Sequence, residues 1–168
     1  DLADETDNNK WIQYFKDKGI IALKINSKNK QGIKEINNAV QIACKEKIER
    51  DKKRGIINRP VRAMVVGIPN VGKSTFINAY AGRAAAKTGN KPGVTKGKQW
   101  IKLNKNLELL DTPGILWPKF DYKTIGMHFA FIGSMNDNVL DVTELAYQLV
   151  KLLATTYPKA VVERYKIE

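Results

Sequence analysis

The residues 67–74, "GIPNVGKS", have the types and spacing that bind the phosphates of a nucleotide. A glycine, four residues and then Gly-Lys-Ser form a turn whose backbone N–H groups point at phosphate oxygens, beside the positive end of the following helix. We expect Lys73 to neutralise the β- and γ-phosphates and the Ser74 hydroxyl to bind Mg²⁺. The predicted contact set also contains the neighbouring residues Pro69, Asn70, Val71, Gly72 and Thr75.

A second motif, "LELLDTPG", supplies an acid at the end of an apolar run. Asp111 is the residue expected to hold Mg²⁺, usually through a water, and the Gly114 amide is expected to donate to the γ-phosphate. The glycine-containing stretch 91–97, "KPGVTKG", lies between the two motifs and lacks apolar periodicity, which predicts a loop. Thr95 is our choice there for completing the Mg²⁺ shell and contacting the γ-phosphate, and Thr88 is the alternative.

Strands and helices must position these motifs, and their alternation predicts an α/β fold with a mostly parallel sheet and helices on both faces. The phosphate motif follows a strand at 61–67 and opens a helix at 73–82, which Gly82 closes. A hairpin is predicted from strands at 96–103 and 107–111. Upstream we expect a helix at 5–18, a buried strand at 19–25, an amphipathic helix at 31–49 containing a buried Cys44, and a linker at 52–60. Further helices are expected near 122–133, 141–155 and 158–165.

The motif that reads a nucleotide base is expected upstream of the phosphate motif. "INSKNKQG" resembles the Ser-Ala-Lys loop of Ras-like proteins, with Asn26, Ser27 and Lys28 in its three places. About 26 residues earlier, Asp1 stands where such proteins carry the aspartate that reads guanine, and its Asn and Lys partners are expected just before it. Base motifs before phosphate motifs indicate a circular permutation, which surface termini that lie close together allow.

The charge of the chain points to a polyanionic partner. Its formal net charge is +12, and such an excess favours nucleic acid over a membrane surface. Residues 83–105 contain seven Lys or Arg and no acid, and residues 45–62 contain eight basic and three acidic residues. The second run has an alternative interpretation as a solvated helix face. The sequence has no apolar run long enough to predict a membrane span, and its single cysteine fits a cytoplasmic protein.

The motifs "GIPNVGKS", "KPGVTKGKQW", "ELLDTPGILWPKF" and "YPKAVVERY" in this order resemble the YlqF/RbgA family of circularly permuted bacterial GTPases. The resemblance implies binding of GTP and GDP, slow GTP hydrolysis stimulated by ribosomal particles, and a role in assembly of the large ribosomal subunit on precursor particles and their rRNA. We expect a monomer with a base-recognition half at 1–51, a linker at 52–60, a phosphate-binding half at 61–135 and a helical segment at 136–168. The family's domain begins earlier, so the strand at 19–25 would lack its usual neighbours.

GTP hydrolysis needs a group that orients the attacking water, and the residue at the usual position of that group cannot do so. Ile115 stands where Ras-like enzymes carry a water-orienting glutamine, and the resemblance implies a histidine from a preceding segment instead. His128 lies in an apolar helix and is interpreted as a packed or surface residue. Asn70 has two interpretations: a residue that tolerates an unusual backbone angle, or a ligand for K⁺ beside the phosphates.

Two classes of function remain in view. One is a GTPase in which Asn70, Lys73, Thr95 and Gly114 act at the reacting phosphate. The other is a nucleotide-gated module that binds RNA or protein with negligible hydrolysis. An ATPase is disfavoured by Asp1 and the loop at 26–28.

Overall fold

The computed structural model describes residues 3–57, 59–89, 93–95, 97–116, 123–136, 138 and 140–166. Over these residues the elements are, in chain order, α1 (Glu5–Asp17), α2 (Glu35–Ala43), α3 (Lys45–Lys53), β1 (Val61–Val65), α4 (Lys73–Ala81), β2 (Gln99–Asn104), β3 (Leu107–Asp111), α5 (Lys123–Phe131), α6 (Val142–Thr156) and α7 (Pro158–Tyr165). The chain divides into two compact units. Unit 1 is Asp1–Val66, Gly72–Thr88 and Gly97–Thr112, and unit 2 is Gly67–Val71, Gly89–Lys96 and Pro113–Glu168.

Unit 1 is built on a sheet that, over the described residues, has three strands in the order β1-β3-β2. β1 and β3 run parallel, with Val61 opposite Leu107 and Val65 opposite Asp111. β2 and β3 run antiparallel and form the predicted hairpin. The expected mostly parallel sheet is therefore a mixed one in this part of the chain, because the hairpin adds an antiparallel edge to the parallel pair.

One face of this sheet carries the core of unit 1. Alternate residues of the strands, among them Val61, Ile101, Leu107 and Leu109, are buried in one cluster with Ile77 of α4. Val40 of α2, Ile48 of α3 and Cys44 between the two helices pack against the same cluster. The period-2 pattern of the strands and the apolar stripes of the helices therefore meet on one side of the sheet. The Cys44 prediction holds in part, because the residue is half-buried.

The opposite face of the sheet is exposed in the described part of unit 1. Met64 and Trp100 are 60% and 51% exposed. The guanidinium of Arg62 lies 5.0 Å from the Trp100 ring centroid, and its Nε is 3.1 Å from Glu108. This face is exposed because residues of α2, α3 and α4 pack against the core on the other face of the sheet.

The predicted strand at 19–25 is wrong for this structure. Residues 20–25 take no regular structure, and Ile20 and Ile21 are 53% and 45% exposed. A strand needs a hydrogen-bonding neighbour and a covered apolar side. No strand of the described residues pairs with this segment.

The predicted helix at 31–49 is two helices. A Cβ on Gly32 would lie 2.4 Å from the Lys24 carbonyl oxygen, and Gly32 has φ +73°, so the chain turns there and α2 begins at Glu35. Cys44, with φ −105° and ψ 12°, separates α2 from α3. Because α3 continues to Lys53, the first residues of the predicted linker at 52–60 belong to the helix, a difference of the size usual for helix ends.

Unit 2 contains α5, α6 and α7 close to their predicted bounds. The carboxylate of Asp141 accepts hydrogen bonds from the backbone N–H groups of Thr143 and Glu144 and so caps α6. His128 is exposed on α5, with its ring 6.2 Å from that of Phe131, as expected for a surface residue. Among the helices of the described residues, none combines the length and apolar character needed to cross a membrane.

Candidate nucleotide-binding residues

The N-terminus of α4 in unit 1 carries the lysine and serine of the phosphate motif. Gly72 precedes the helix with φ 92°, a left-handed conformation that favours glycine, and its carbonyl accepts a 2.8 Å hydrogen bond from Phe76 N. Lys73 and Ser74 are half-buried in the first turn, whereas Thr75 is exposed. The helix therefore begins within the phosphate motif, and its positive end is the end at which an anion is stabilised.

Asp111 ends β3 directly opposite Val65, the last residue of β1. Its side chain is buried at 2% exposure, and its Oδ1 atom has no hydrogen-bond partner among the residues that the structure describes. A buried acceptor without a partner is unfavourable unless a ligand satisfies it. In the described part of the chain no three His, Cys, Asp or Glu side chains are grouped to hold a metal by themselves. This donor set fits Mg²⁺, which commonly binds one carboxylate, waters and substrate phosphates.

The charges of Lys73 and Asp111 act on each other within unit 1. Burial lowers the pKa of the Lys73 ammonium below its usual range, and the charge of Asp111 partly opposes that shift. Burial also raises the pKa of the Asp111 carboxyl, against the opposing effects of the Lys73 charge and of the Thr112 backbone N–H. Both groups are therefore held where their charged forms are poorly solvated, as at a site that awaits a charged ligand.

Thr112 connects the two strands that carry the motifs, and sequence reasoning missed it. Its hydroxyl donates a 2.7 Å hydrogen bond to the Val65 carbonyl, and the residue is buried at 7% exposure. This bond joins the end of β3 to the end of β1. The only sequence signal was its place between Asp111 and the proline of the motif.

The predicted base-reading loop is a tight turn in unit 1. The Asn26 side-chain oxygen accepts hydrogen bonds from the Lys28 and Asn29 backbone N–H groups, at 3.0 and 3.4 Å, and Asn26 pairs with Gln31 in an isolated bridge. These bonds keep Asn26, Ser27 and Lys28 together in one compact loop before α2. Asp1, the predicted guanine-reading acid, lies outside the described residues.

In unit 2, Gly114 is packed against the backbone of the phosphate motif. A Cβ at Gly114 would lie 2.5 Å from Pro69 Cα and N and 2.9 Å from the Ile68 carbonyl carbon. Ile115 N donates a 3.4 Å hydrogen bond to the Gly67 carbonyl. A glycine is therefore required at position 114, because the backbone of Ile68 and Pro69 leaves no room for a side chain. Ile115, at the place of the missing glutamine, is 75% exposed.

Asn70 shows features that bear on both of its interpretations. Its φ of 56° is left-handed, so the interpretation as a residue tolerant of an unusual backbone angle is confirmed for its conformation. Its side chain is also engaged, because Nδ2 donates a 3.1 Å hydrogen bond to the Ile132 carbonyl. The adjacent Ser134 hydroxyl donates a 2.6 Å hydrogen bond to the Pro69 carbonyl. Neither of these two hydrogen bonds to the residues that follow α5 was predicted from the sequence. Val71, next in the motif, is exposed.

Thr95 is half-buried in unit 2, and Thr88 is exposed in unit 1. The described residues around Thr95 form no helix or strand, as predicted for a loop. A Cβ at Gly89 would lie 2.9 Å from a Val94 methyl group, so this loop packs on itself. Lys91, Pro92 and Lys96 of the predicted loop lie outside the described residues.

The two basic runs differ in their surroundings. Within 45–62, the basic residues of α3 lie along a largely exposed helix, with Lys47 3.4 Å from Asp51, which fits the alternative of a solvated helix face. Within 83–105, the described basic residues are exposed, and Arg83 Nη2 donates a 3.3 Å hydrogen bond to the Lys102 carbonyl. The acid-free run is thus the stronger candidate for an anionic partner.

The family model described as 50S ribosome-binding GTPase matches residues 62–164, the part that contains both phosphate motifs. The chain belongs to this family. Ribosome biogenesis GTPase A of Bacillus cereus is 46% identical over 167 residues, which cover 99% of this chain and 56% of that protein. The protein of the same name from Bacillus licheniformis is 45% identical over 168 residues, covering 100% of this chain and 59% of that protein.

Among solved structures, the GNP-bound YlqF from T. maritima shares the fold of this 50S ribosome-binding GTPase family member, with a TM-score of 0.57 and 24% identity. The match covers 92% of this chain and 55% of that one. The Bacillus relatives confirm the resemblance that the motifs indicated, and the solved structure confirms the fold. The chain spans little more than half the length of the relatives it matches.

Proposed function

We propose that this chain binds GTP and GDP with Mg²⁺ and hydrolyses GTP during assembly of the large ribosomal subunit in the cytoplasm. The observation that carries the proposal is the buried Asp111. Its Oδ1 has no hydrogen-bond partner within the described part of the chain, and its charge acts on Lys73 at the start of α4. The family match supports the guanine nucleotide, as do the Asn26 loop and the predicted role of Asp1.

The chain's own residues would divide the work as follows. Lys73 and the N–H groups that open α4 bind the phosphate oxygens, and their positive charge favours the developing charge of the transition state. Ser74, Thr95 and Asp111 are the residues that would hold Mg²⁺, which when bound neutralises phosphate charge. The amide of Gly114 would donate to the γ-phosphate.

Nucleotide binding is tested with a fluorescent GDP analogue and the intact protein, in the presence and absence of Mg²⁺. We expect GTP to displace the analogue and ATP at equal concentration to fail, because loss of a charged contact to guanine costs about 1.5–3 kcal/mol or more. Lys73→Ala should abolish binding while leaving the far-UV spectrum and melting temperature intact. Equal displacement by ATP would contradict guanine specificity.

A K⁺ ion is part of the proposal. The amide of Asn70 is planar, and its Nδ2 is committed to the Ile132 carbonyl, so its oxygen is the atom that a hard cation would contact. We propose that Asn70 lets K⁺ take the place of the positive group that other enzymes supply as an arginine. Hydrolysis should be faster in K⁺ than in Na⁺ at equal ionic strength, and Asn70→Ala should remove the difference. Equal rates in both salts for the parent protein would exclude this role.

The large ribosomal subunit precursor and its rRNA are the proposed partners of a monomeric protein. Exposed basic residues of the acid-free run support this, among them Lys98, Lys102 and Lys105. Replacing these three lysines with Gln should reduce the magnitude of the salt slope of subunit binding by about 0.7–0.9 for each phosphate that the variant no longer neutralises. The matched control replaces Lys16, Lys151 and Lys159, which lie outside both basic runs, and should leave the slope unchanged. Equal slopes for both triple variants would contradict an RNA contact by this run.

A second candidate function is a nucleotide-gated module that binds its partner with negligible turnover. The specific observation in its favour is Ile115, an exposed aliphatic residue that cannot orient a water molecule. Phosphate release with and without large subunits separates the two candidates. Stimulated turnover supports the GTPase, and nucleotide-dependent subunit binding with no turnover in either condition supports the module.

A further inference from the structure

The end of α5 contacts the phosphate motif at three consecutive residues, all within unit 2. The Ile132 carbonyl accepts the 3.1 Å hydrogen bond from Asn70 Nδ2. A Cβ on the next residue, Gly133, would lie 2.8 Å from the same nitrogen. The Ser134 hydroxyl donates a 2.6 Å hydrogen bond to the Pro69 carbonyl. Ile132 thus supplies a hydrogen-bond acceptor, Gly133 leaves room for the Asn70 amide and Ser134 supplies a hydrogen-bond donor.

This end of α5 is itself held in place by its helix cap. Gly133 has φ +69°, and its N–H donates to the Ala130 carbonyl at 2.9 Å, while Ser134 N donates to Phe129 at 2.9 Å. These bonds close the helix with a left-handed glycine. Ser134 is 1% exposed, among the most buried side chains of the described residues. The contact with Asn70 therefore comes from a rigid support rather than from a loose loop.

The support determines which way the Asn70 amide faces. A carbonyl oxygen only accepts hydrogen bonds, so the group of Asn70 that meets the Ile132 carbonyl must be the NH₂ and not the oxygen. The amide oxygen is on the other branch of the plane and faces away from Ile132. A freely rotating asparagine would spend part of its time with these two groups exchanged.

We propose that residues 132–134 are a positioning element that fixes the Asn70 amide so that its oxygen, and not its nitrogen, is offered to the K⁺ ion. The inference rests on the proposed function, in which Asn70 contacts that ion. Ile132, Gly133 and Ser134 act through Asn70 and are therefore positioning residues. The element also ties α5, which follows the Gly114 segment in the chain, to the backbone of the phosphate motif.

The positioning is tested first without nucleotide, by ¹⁵N–¹H spectra of side-chain amides in the intact protein. The signal missing from Asn70→Ala identifies the Asn70 amide. Gly133→Ala should move this signal, because the added Cβ displaces Nδ2. The matched control is Gly82→Ala, at a helix end with nearly the same φ, +67°, but with nothing within 4 Å of the added Cβ. An Asn70 signal that stays in place in Gly133→Ala overturns the proposal.

The second measurement is the ratio of GTP hydrolysis rates in K⁺ and Na⁺. Gly133→Ala and Ser134→Ala should lower the ratio toward one, whereas Gly82→Ala should keep the parent ratio even if both glycine variants melt at lower temperature. Ser134→Ala adds no atoms and serves if Gly133→Ala fails to fold. A moved amide signal with an unchanged ratio contradicts the link to K⁺. If the parent protein shows no K⁺ preference, the proposed K⁺ role of Asn70 is wrong, and the spectra still decide the positioning.

Discussion

The hydroxyl of Thr112 donates a hydrogen bond to the backbone carbonyl of Val65, at 2.7 Å. These residues lie at the ends of β3 and β1, immediately before the segments that carry Gly114 and the phosphate motif. In a parallel sheet, the carboxyl ends of neighbouring strands are where ligands bind. The Thr112 side chain therefore adds one hydrogen bond to the β1–β3 pairing, at the two strand ends from which both motifs start.

Replacing Thr112 with Val should destabilise the protein by about 1–3 kcal/mol, because the Val65 carbonyl loses the donor of a partly buried hydrogen bond. The measurement is urea unfolding. The free energies of unfolding are compared between proteins whose dependence on urea concentration has the same slope. Thr155→Val is the matched control, since the Thr155 hydroxyl also donates to a backbone carbonyl, that of Lys151, but on an exposed helix surface. We expect the control to change stability by less than about 0.5 kcal/mol. Similar losses in the two variants would show that the strand-end bond has no special importance.

Asp111→Asn should stabilise the nucleotide-free protein at neutral pH and weaken its Mg²⁺-dependent nucleotide binding. Burial raises the pKa of Asp111 in the folded state, so the folded protein binds this proton more tightly than the unfolded chain does. The contribution of Asp111 to stability is then fully present below its unfolded pKa of about 3.9 and is lost as pH rises through its raised folded pKa. Asparagine carries no charge and avoids this loss.

Urea unfolding of the parent and Asp111→Asn at several pH values checks this sign. The stability difference should be largest near neutral pH and should shrink as the pH falls toward the unfolded pKa. The loss of the Asp111 charge beside Lys73 works against the gain, but burial is the larger cause of the shift. Asp17→Asn, on the exposed surface of α1, is the charge-matched control. A less stable Asp111→Asn protein at neutral pH would contradict the prediction.

Gly114→Ala should both destabilise the protein and weaken nucleotide binding. The added Cβ would meet backbone atoms of Pro69 at 2.5 Å, and backbone cannot move aside as a flexible side chain can, so a loss of about 1–3 kcal/mol is expected. Gly97→Ala, where nothing lies within 4 Å of the new atom, is the control for stability. Melting temperatures of the two variants give the comparison, and a Gly114→Ala protein as stable as Gly97→Ala would exclude the clash.

Local sequence patterns predicted the parts of the fold that depend on near neighbours. The strand before the phosphate motif, α4 with Gly82 at its end, and the hairpin of β2 and β3 follow from turn residues and apolar periodicity within about ten residues. The strand at 19–25 failed because strand formation depends on a partner elsewhere, which periodicity does not report. The break of the long helix at Cys44 has no glycine or proline to announce it.

The residues of the candidate site also differ in how far they could be predicted from the sequence. Lys73, Ser74 and Asp111 could be predicted because their chemistry requires fixed spacing within a motif. Thr112 and Ser134 could not, because their hydrogen bonds join residues that are 47 and 65 positions apart. Their partners are backbone carbonyls, which leave no mark on the sequence.

Residues 20–25 form an exposed apolar run. Ile20, Ile21, Leu23 and Ile25 are all exposed, and short apolar segments of low charge stack into cross-β aggregates. The charge within the run is that of Lys24, whose ammonium pairs with the Glu5 carboxylate. A charge at such a place acts as a gatekeeper against aggregation. We therefore expect Lys24 to oppose self-association in a concentrated solution. Lys24→Ile should raise light scattering before any change in nucleotide binding is seen.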